Sequence, residues 1–319
     1  MLLVQSERNT LLSSLTAVVG VVERRHTLPI LSNLLLEKKG NKLTLLATDL
    51  ELQISTQQDV EAGEDFAITI AARKLFDIVR ALPDGAKLKL DSKDSQVVVS
   101  AGKSRFTLQT LPAADFPRVE TGAGLGAAIS LPQKTLKRLL QLVQFAMASQ
   151  DIRYYLNGML LVLEGKQLRV VATDGHRLSY AETILENEAE AREVIIPRKT
   201  VVELSKLLGD VDDPVELSIG ANQVTITLPG TELVTKVVDG KFPDYQRVIP
   251  MNQPRQLKAN RQNVIQALQR AAILSNEKFR GVRLVMSENT LGIVCNNNEQ
   301  EEAADEIEVS YNGEPLDVG

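Results

Sequence analysis

One pattern recurs along this chain at a spacing too long for anything smaller than a domain. The stretch Asn33–Asp49 reads as an apolar strand, a Gly-Asn-Lys turn, a second apolar strand and a polar exit at Ala-Thr-Asp. It returns at Gly158–Asp174 and again, less faithfully, at Gly281–Asn297. Leu43, Leu168 and Leu291 hold the same place in each copy, 125 and 123 residues apart. Solenoid repeats run to about 20–50 residues. A period near 125 is an ordinary domain size, so the chain is a tandem of related domains.

Other landmarks keep the period. Phe116-Pro117 returns 126 residues later as Phe242-Pro243. Amphipathic helices are predicted over 7–19, 132–148 and 261–274, each behind a short strand. A half-repeat lies inside the first two copies: Phe66–Ile70 leads into a helix at 72–82, and Val194–Ile196 into one at 198–208. The elementary unit is one strand, one helix and about three strands, and two units make a domain. The fold class is α+β, with domains at 1–125, 126–252 and 253–319. The third repeat reaches Gly319 before its Phe-Pro landmark, so the pattern predicts only its first half, with roughly 45–50 residues of the repeat absent. Val264, Leu268, Leu284 and Ile293 are therefore expected to lose part of their burial.

The cores must be built from Leu, Val, Ile and Ala, because Trp is absent and aromatics are 4% of residues. The single cysteine, Cys295, excludes a disulfide framework and fits a reducing compartment. The opening Met-Leu-Leu-Val-Gln-Ser-Glu lacks the pattern of a signal peptide, and no run approaches the ~18 apolar residues of a membrane span. A cytoplasmic location is expected.

Net charge is −5, but the five predicted helices together carry +9, leaving −14 for the rest. Helix 132–148 has Lys134, Lys137 and Arg138 with no acid, and helices 72–82, 198–208 and 261–274 each carry +2. Lys and Arg are good helix formers, so one basic helix needs no explanation. Four at equivalent places in a repeat point to a shared surface facing a polyanion, with Arg73, Arg80, Lys137, Arg138, Arg198 and Lys199 towards it. Contacts of this kind position a nucleic acid without reading its sequence.

Catalytic chemistry is not indicated. Only His26 and His176 are present, and Asp174-Gly175-His176-Arg177 has no nucleophile on a Gly-x-Ser-x-Gly elbow. No phosphate loop, dinucleotide fingerprint or metal-ligand spacing appears, and no cofactor or metal is expected. The Gly-His-Arg-Leu form occurs in repeat two alone, which suggests a local binding site.

Six stretches in order carry a resemblance: Thr27–Leu36, Leu111–Pro117, Arg153–Leu160, Ala172–Leu178, Asp239–Tyr245 and Ile273–Gly281. With them the chain, from its first residue to its last, closely resembles the bacterial sliding clamps, the beta subunits of DNA polymerase III. The resemblance implies a non-catalytic processivity factor, a head-to-tail homodimeric ring around double-stranded DNA. Helices line its hole and sheets form its wall. It adds Arg25 and Gln150 to the DNA-facing set. It also implies a cleft for Gln-x-x-Leu-Phe-type peptides of the polymerase III catalytic subunit, the clamp loader, other polymerases and repair proteins. Leu156, Thr173, Gly175, His176, Arg177, Leu178, Pro243, Arg247 and Val248 match that cleft. A ring joint is implied between Lys74, Lys103, Arg105, Phe106 and Leu108 on one copy and Ile273, Leu274, Glu299, Glu301, Glu302 and Asp305 on the other. Two other readings stand beside this one: a DNA-binding protein that shares the domain without encircling DNA, and a hydrolase using Asp174 and His176.

Overall fold

The computed structural model describes residues 2–23, 28–61, 64–120, 124–276 and 281–319, in two compact units, Met1–Pro243 and Asp244–Gly319. Unit one opens with strand β1 (Leu2–Glu7) and helix α1 (Arg8–Val19). Strands β2 (Asn33–Lys39), β3 (Lys42–Thr48), β4 (Leu52–Asp59) and β5 (Phe66–Ala71) lead to helix α2 (Ala72–Ala81). Strands β6 (Lys87–Lys93), β7 (Gln96–Ala101) and β8 (Ser104–Gln109) follow. The plan then repeats: β9 (Ile129–Pro132), α3 (Gln133–Val143), β10 (Gly158–Thr173), β11 (Leu178–Pro197), α4 (Arg198–Leu207), β12 (Pro214–Ile219), β13 (Gln223–Leu228) and β14 (Thr231–Lys236).

Each helix buries one stripe. Leu11, Leu15 and Val18 of α1 and Ala72, Leu75 and Val79 of α2 fall at helical spacing and enter a common core with the sheet side chains. Leu136, Leu139, Leu140 and Val143 do the same in α3. Full burial of one such leucine contributes about 1.5–3 kcal/mol. The helices of a domain also close each other's ends. Arg8, first in α1, donates to the carbonyls of Val79 and Arg80 at the end of α2, and Arg73 of α2 donates to the Val22 carbonyl beyond α1. These arginines satisfy carbonyls that a helix end leaves unpaired.

All pairing in the sheets is antiparallel. One sheet runs β1-β6-β7-β8. A second, of eight strands, runs β5-β2-β3-β4-β14-β13-β12-β9, so it passes from the first repeat into the second where β4 meets β14. The Phe-Pro landmark is explained by the sheet's other face, where Phe116 is buried against Leu35 and Leu46. Phe242 is likewise buried. The strand–turn–strand expected over 158–173 is one element, β10, whose register against β11 shifts around Gly165. Gly165 has φ +57°, matching +58° at Gly40 in the β2–β3 turn, a conformation glycine adopts without the Cβ penalty.

Unit two holds α5 (Arg261–Ala271) and the sheet β17 (Glu302–Glu308), β16 (Thr290–Asn296), β15 (Arg283–Ser287), β18 (Leu316–Val318), named in spatial order. Asn260 caps α5 by accepting from the amides of Gln262 and Asn263. The strand expected ahead of this helix is reduced to one bridge, Lys258 with Ser310. Its core cluster is small: Ala267, Ala271, Leu291, Ile293 and Cys295 are buried together, and Tyr311 is buried as well. Val264, Leu268 and Leu284 are half-buried as expected, but Ile293 is completely covered, because it lies on β16, an inner strand of the sheet beneath α5. Among the described residues, no helix is long and apolar enough to cross a membrane.

With two alanines under its helix where α1 and α3 place leucines, unit two should be the less stable. Native-state hydrogen exchange should show amides of β15 and β16 opening at lower free energy than those of β2 and β3. Asn260→Ala should lower the stability of unit two by about 1 kcal/mol and leave unit one unchanged. Equal protection in both units would contradict this.

Candidate functional site

The three strand exits share one device. Asp49 Oδ1 accepts from the amides of Glu51 and Leu52. Asp174 Oδ1 accepts from His176 and Arg177, and Asn297 Oδ1 from Glu299 and Glu301. These side-chain turns end each strand. In repeats one and two a threonine braces the turn, and Thr48 Oγ1 accepts from Leu50 N and donates to the Leu52 carbonyl. Thr173 Oγ1 accepts from Gly175 N and donates to the Arg177 carbonyl, and Arg177 Nε lies 3.0 Å from Asp174 Oδ2. Arg153 donates to the Asp174 carbonyl and holds Asp151 through two side-chain hydrogen bonds.

Those bonds set the local electrostatics. The Arg153 guanidinium, helped by the Arg153 amide, lowers the Asp151 carboxyl from 3.8 to about 2. Burial pushes Asp174 up, but the amides of His176 and Arg177 and the Arg177 guanidinium outweigh it and hold it below its ordinary value. Both carboxylates are anions that orient cations, and His176 is exposed, with no dyad partner shown. Among the described residues the turn pairs no general base with a nucleophile.

Around it the structure places side chains unevenly. Leu178 is half-buried, Gly175, His176, Arg177 and Pro243 are exposed, and Thr173 is buried as the turn's brace. Leu156, expected as a pocket wall, is 2% exposed: its amide and carbonyl bond Arg153 and Ala148, so it serves as floor. Sequence reasoning missed two aromatics. Phe145 is 55% exposed beneath the Arg177 guanidinium, 5.6 Å from it, and Tyr154 is exposed beside Gly240. Phe145 could have been found, since it falls off the stripe that α3 buries. In unit two, Arg247 pairs with Asp244 and Val248 is exposed.

The basic residues are less free than their charge suggests. Arg73 and Arg198 cap helix ends through the carbonyls of Val22 and Met147. Lys137 pairs with Asp210, Arg80 with Asp77, and Lys199 with Asp49 and Glu23. Arg73, Arg198 and Lys199 thus each hold a bond within the chain. Arg138 is exposed and has no carboxylate partner among the described residues, and Gln150 is exposed with φ +60°. Arg25 lies outside the described residues.

Two sheet edges complete the picture. β8 ends the first sheet of unit one, with Lys103, Arg105 and Phe106 exposed along it. Leu108 is instead buried in that unit's own core. β17 ends the sheet of unit two and exposes Glu302, Glu306 and Glu308. Glu299 and Glu301 are exposed ahead of it, and Ile273 is 77% exposed near half-buried Leu274. Asp305 is paired within its own unit: Arg270 Nε lies 2.6 Å from it and holds its carboxyl below the usual range.

Residues 2–120, 130–244 and 246–319 match the N-terminal, central and C-terminal domains of the DNA polymerase III beta subunit. The chain belongs to the DNA polymerase III beta subunit family. The beta sliding clamp of Salmonella typhimurium is 47% identical over 314 residues, 98% of this chain and 86% of the relative. That of Pseudomonas aeruginosa is 47% identical over 315 residues, with the same shares. The crystal structure of a Pseudomonas aeruginosa sliding clamp bound to griselimycin superposes with a TM-score of 0.92 at 45% identity, covering 99% of this chain and 86% of that one. A Bartonella birtlesii clamp superposes at 0.91 and 38% identity, with the same coverage. The beta-subunit fold, α+β domains with mostly antiparallel sheets, is therefore the fold of this chain.

The turn yields two expectations. A Cβ at Gly175 would lie 2.9 Å from Arg153 Nη1, on a backbone with φ +87°. Gly175→Ala should therefore destabilise the turn by about 1–2 kcal/mol, read as faster amide exchange at His176 and Arg177. The Asp151 pKa is lowered on folding, so its contribution is present above about 4 and is lost as pH falls towards 2. A carboxyl NMR titration with an Asp151 midpoint near 3.8 would contradict the fastening.

Proposed function

We propose that two copies of this chain close head to tail into a ring that encircles duplex DNA, slides along it and tethers replication proteins to their template in the cytoplasm. The chain is a non-catalytic DNA sliding clamp of the DNA polymerase III holoenzyme. Its working domains on this reading are 1–125, 126–252 and 253–319. One observation carries the ring: the joint between the first two domains is a strand pair, β4 with β14, and the counterparts of those two strands are left as free edges of opposite charge. β8 stands to β7 as β14 stands to β13, and β17 stands to β16 as β4 stands to β3. A heterologous contact that repeats an internal joint closes a ring when the rotation fits.

Carried onto the free edges, the β4–β14 register sets Thr107 opposite Glu302 and Phe106 opposite Ala303. In that register Lys103 falls opposite Glu306 and Arg105 lies diagonally between Glu302 and Glu306, and opposite polarity selects head-to-tail pairing over head-to-head. Ile273 and Leu274 supply the apolar contact beside Phe106, over the buried Leu108. DNA is met loosely by Arg138, Lys137, Arg80, Gln150 and Arg25. A weak, sequence-independent contact permits sliding, and topology supplies retention.

The peptide site on this reading is the surface of Gly175, His176, Arg177, Leu178 and Pro243 over Thr173 and Leu156. An apolar peptide side chain packs on Leu178, and Arg177 holds its carbonyls or acids. The sliding-clamp structure from Pseudomonas aeruginosa that carries griselimycin shows that a relative binds a small ligand.

The ring is tested by cross-linking. Thr107→Cys with Glu302→Cys should form intermolecular disulfides that lock a dimer, since Cβ atoms of directly opposed strand residues lie within disulfide reach. Thr107→Cys with Glu308→Cys should not. Equal cross-linking of both pairs, or none with the first, would overturn the joint.

A further inference from the structure

We infer that Lys199 is a clasp that fixes the angle between the first and second domains, and that it serves the geometry of the joint without contacting DNA. Helix α4 starts directly from β11 with Arg198 and Lys199. Arg198 turns into its own domain and donates to the Met147 carbonyl at 2.7 Å. Lys199 reaches the preceding domain. Its Nζ lies 2.5 Å from Asp49 Oδ2, 2.8 Å from the Val21 carbonyl and 3.1 Å from Glu23 Oε1. An ammonium has three N–H donors, so these acceptors saturate it and leave none for a phosphate.

The acceptors are suited to a cation. Val21 follows the end of α1, where carbonyls carry partial negative charge. The Asp49 side chain is only 7% exposed, and its other oxygen is held by the amides of Glu51 and Leu52. A carboxylate covered this deeply is costly without a counter-charge, and Lys199 supplies it. Glu203, one turn along α4 on the same face, is buried against α1. A Cβ at Gly20 would lie 1.9 Å from Glu203 Oε2, so glycine is what lets α4 sit on the end of α1.

The internal repeat supplies a control. Arg73 to Val22 and Arg198 to Met147 are the same bond, 125 residues apart at both ends, and each arginine closes its own domain. The following lysines differ. Lys199 has a preceding domain within the chain and is saturated by it. Lys74, its counterpart, is exposed and has no partner among the described residues.

The test uses Lys199→Met, Asp49→Asn, the double variant and Lys199→Arg in the full chain, with Arg138→Met for comparison. Thermal unfolding, amide exchange at Val21–Glu23 and Glu51–Leu52, and the salt dependence of affinity for a short duplex are measured. Lys199→Met and Asp49→Asn should each lower the melting temperature by about 2–4 °C and speed those amides by about tenfold. The double variant should be no worse than the more damaging single change, Lys199→Arg should recover most of the loss, and the salt slope should stay as it was. Arg138→Met should leave temperature and exchange alone and make the slope shallower by about one. If Lys199→Met yields no folded protein, Asp49→Asn with Glu23→Gln removes acceptors while keeping the lysine, and is read in the same way. Lys199→Met behaving like Arg138→Met would overturn the inference.

Discussion

The structure of unit one depends on the hydrogen-bonded seam between β4 and β14. Two domains joined by a flexible linker would move independently, whereas two joined through a continuous sheet act as one body. Five registered residue pairs, Thr231 with Thr56 through Thr235 with Leu52, carry the first domain's sheet into the second. Burial supports the seam from both strands, since Ile54 and Leu233 enter the same core. Because β8 of the first domain is a strand of the β14 kind and β17 of the third is a strand of the β4 kind, the seam can recur between copies.

Electrostatics follows the same economy. Most of the helix cations that look like a polyanion surface are already engaged, as caps on helix ends or as pairs with Asp77, Asp210, Asp49 and Glu23. Pairing weakens the field a phosphate would meet. That suits a protein whose hold on DNA must be loose enough to slide, and it reconciles a net charge of −5 with a nucleic-acid partner.

Much of this was legible in the sequence because a repeat exposes its own landmarks. The five helices fall where apolar periodicity places them, and the Phe-Pro pairs mark buried side chains, Phe116 on the sheet's second face. What the sequence could not show is which polar atom lies beside which. Arg73 and Arg138 look alike as helix cations, but one lies within reach of the Val22 carbonyl and the other does not. Leu108 and Phe106 alternate with polar neighbours on the same strand, and only the packing beneath β8 decides that one is core and the other exposed. Asp305 sits in an acidic run, yet the turn of α5 that carries Arg270 claims it. Phe145 was overlooked because it ends a helix whose apolar stripe already accounted for its neighbours.

The central claim is topological retention, and the direct measurement is dwell time on DNA of matched sequence and length, closed in one sample and linearised in the other. Protein loaded on a nicked circle should stay through a wash in high salt, and a single double-strand cut should release it, since sliding ends at a free end. Equal dwell times on circle and linear DNA, both falling steeply with salt, would show that phosphate contacts do the holding and would contradict a ring.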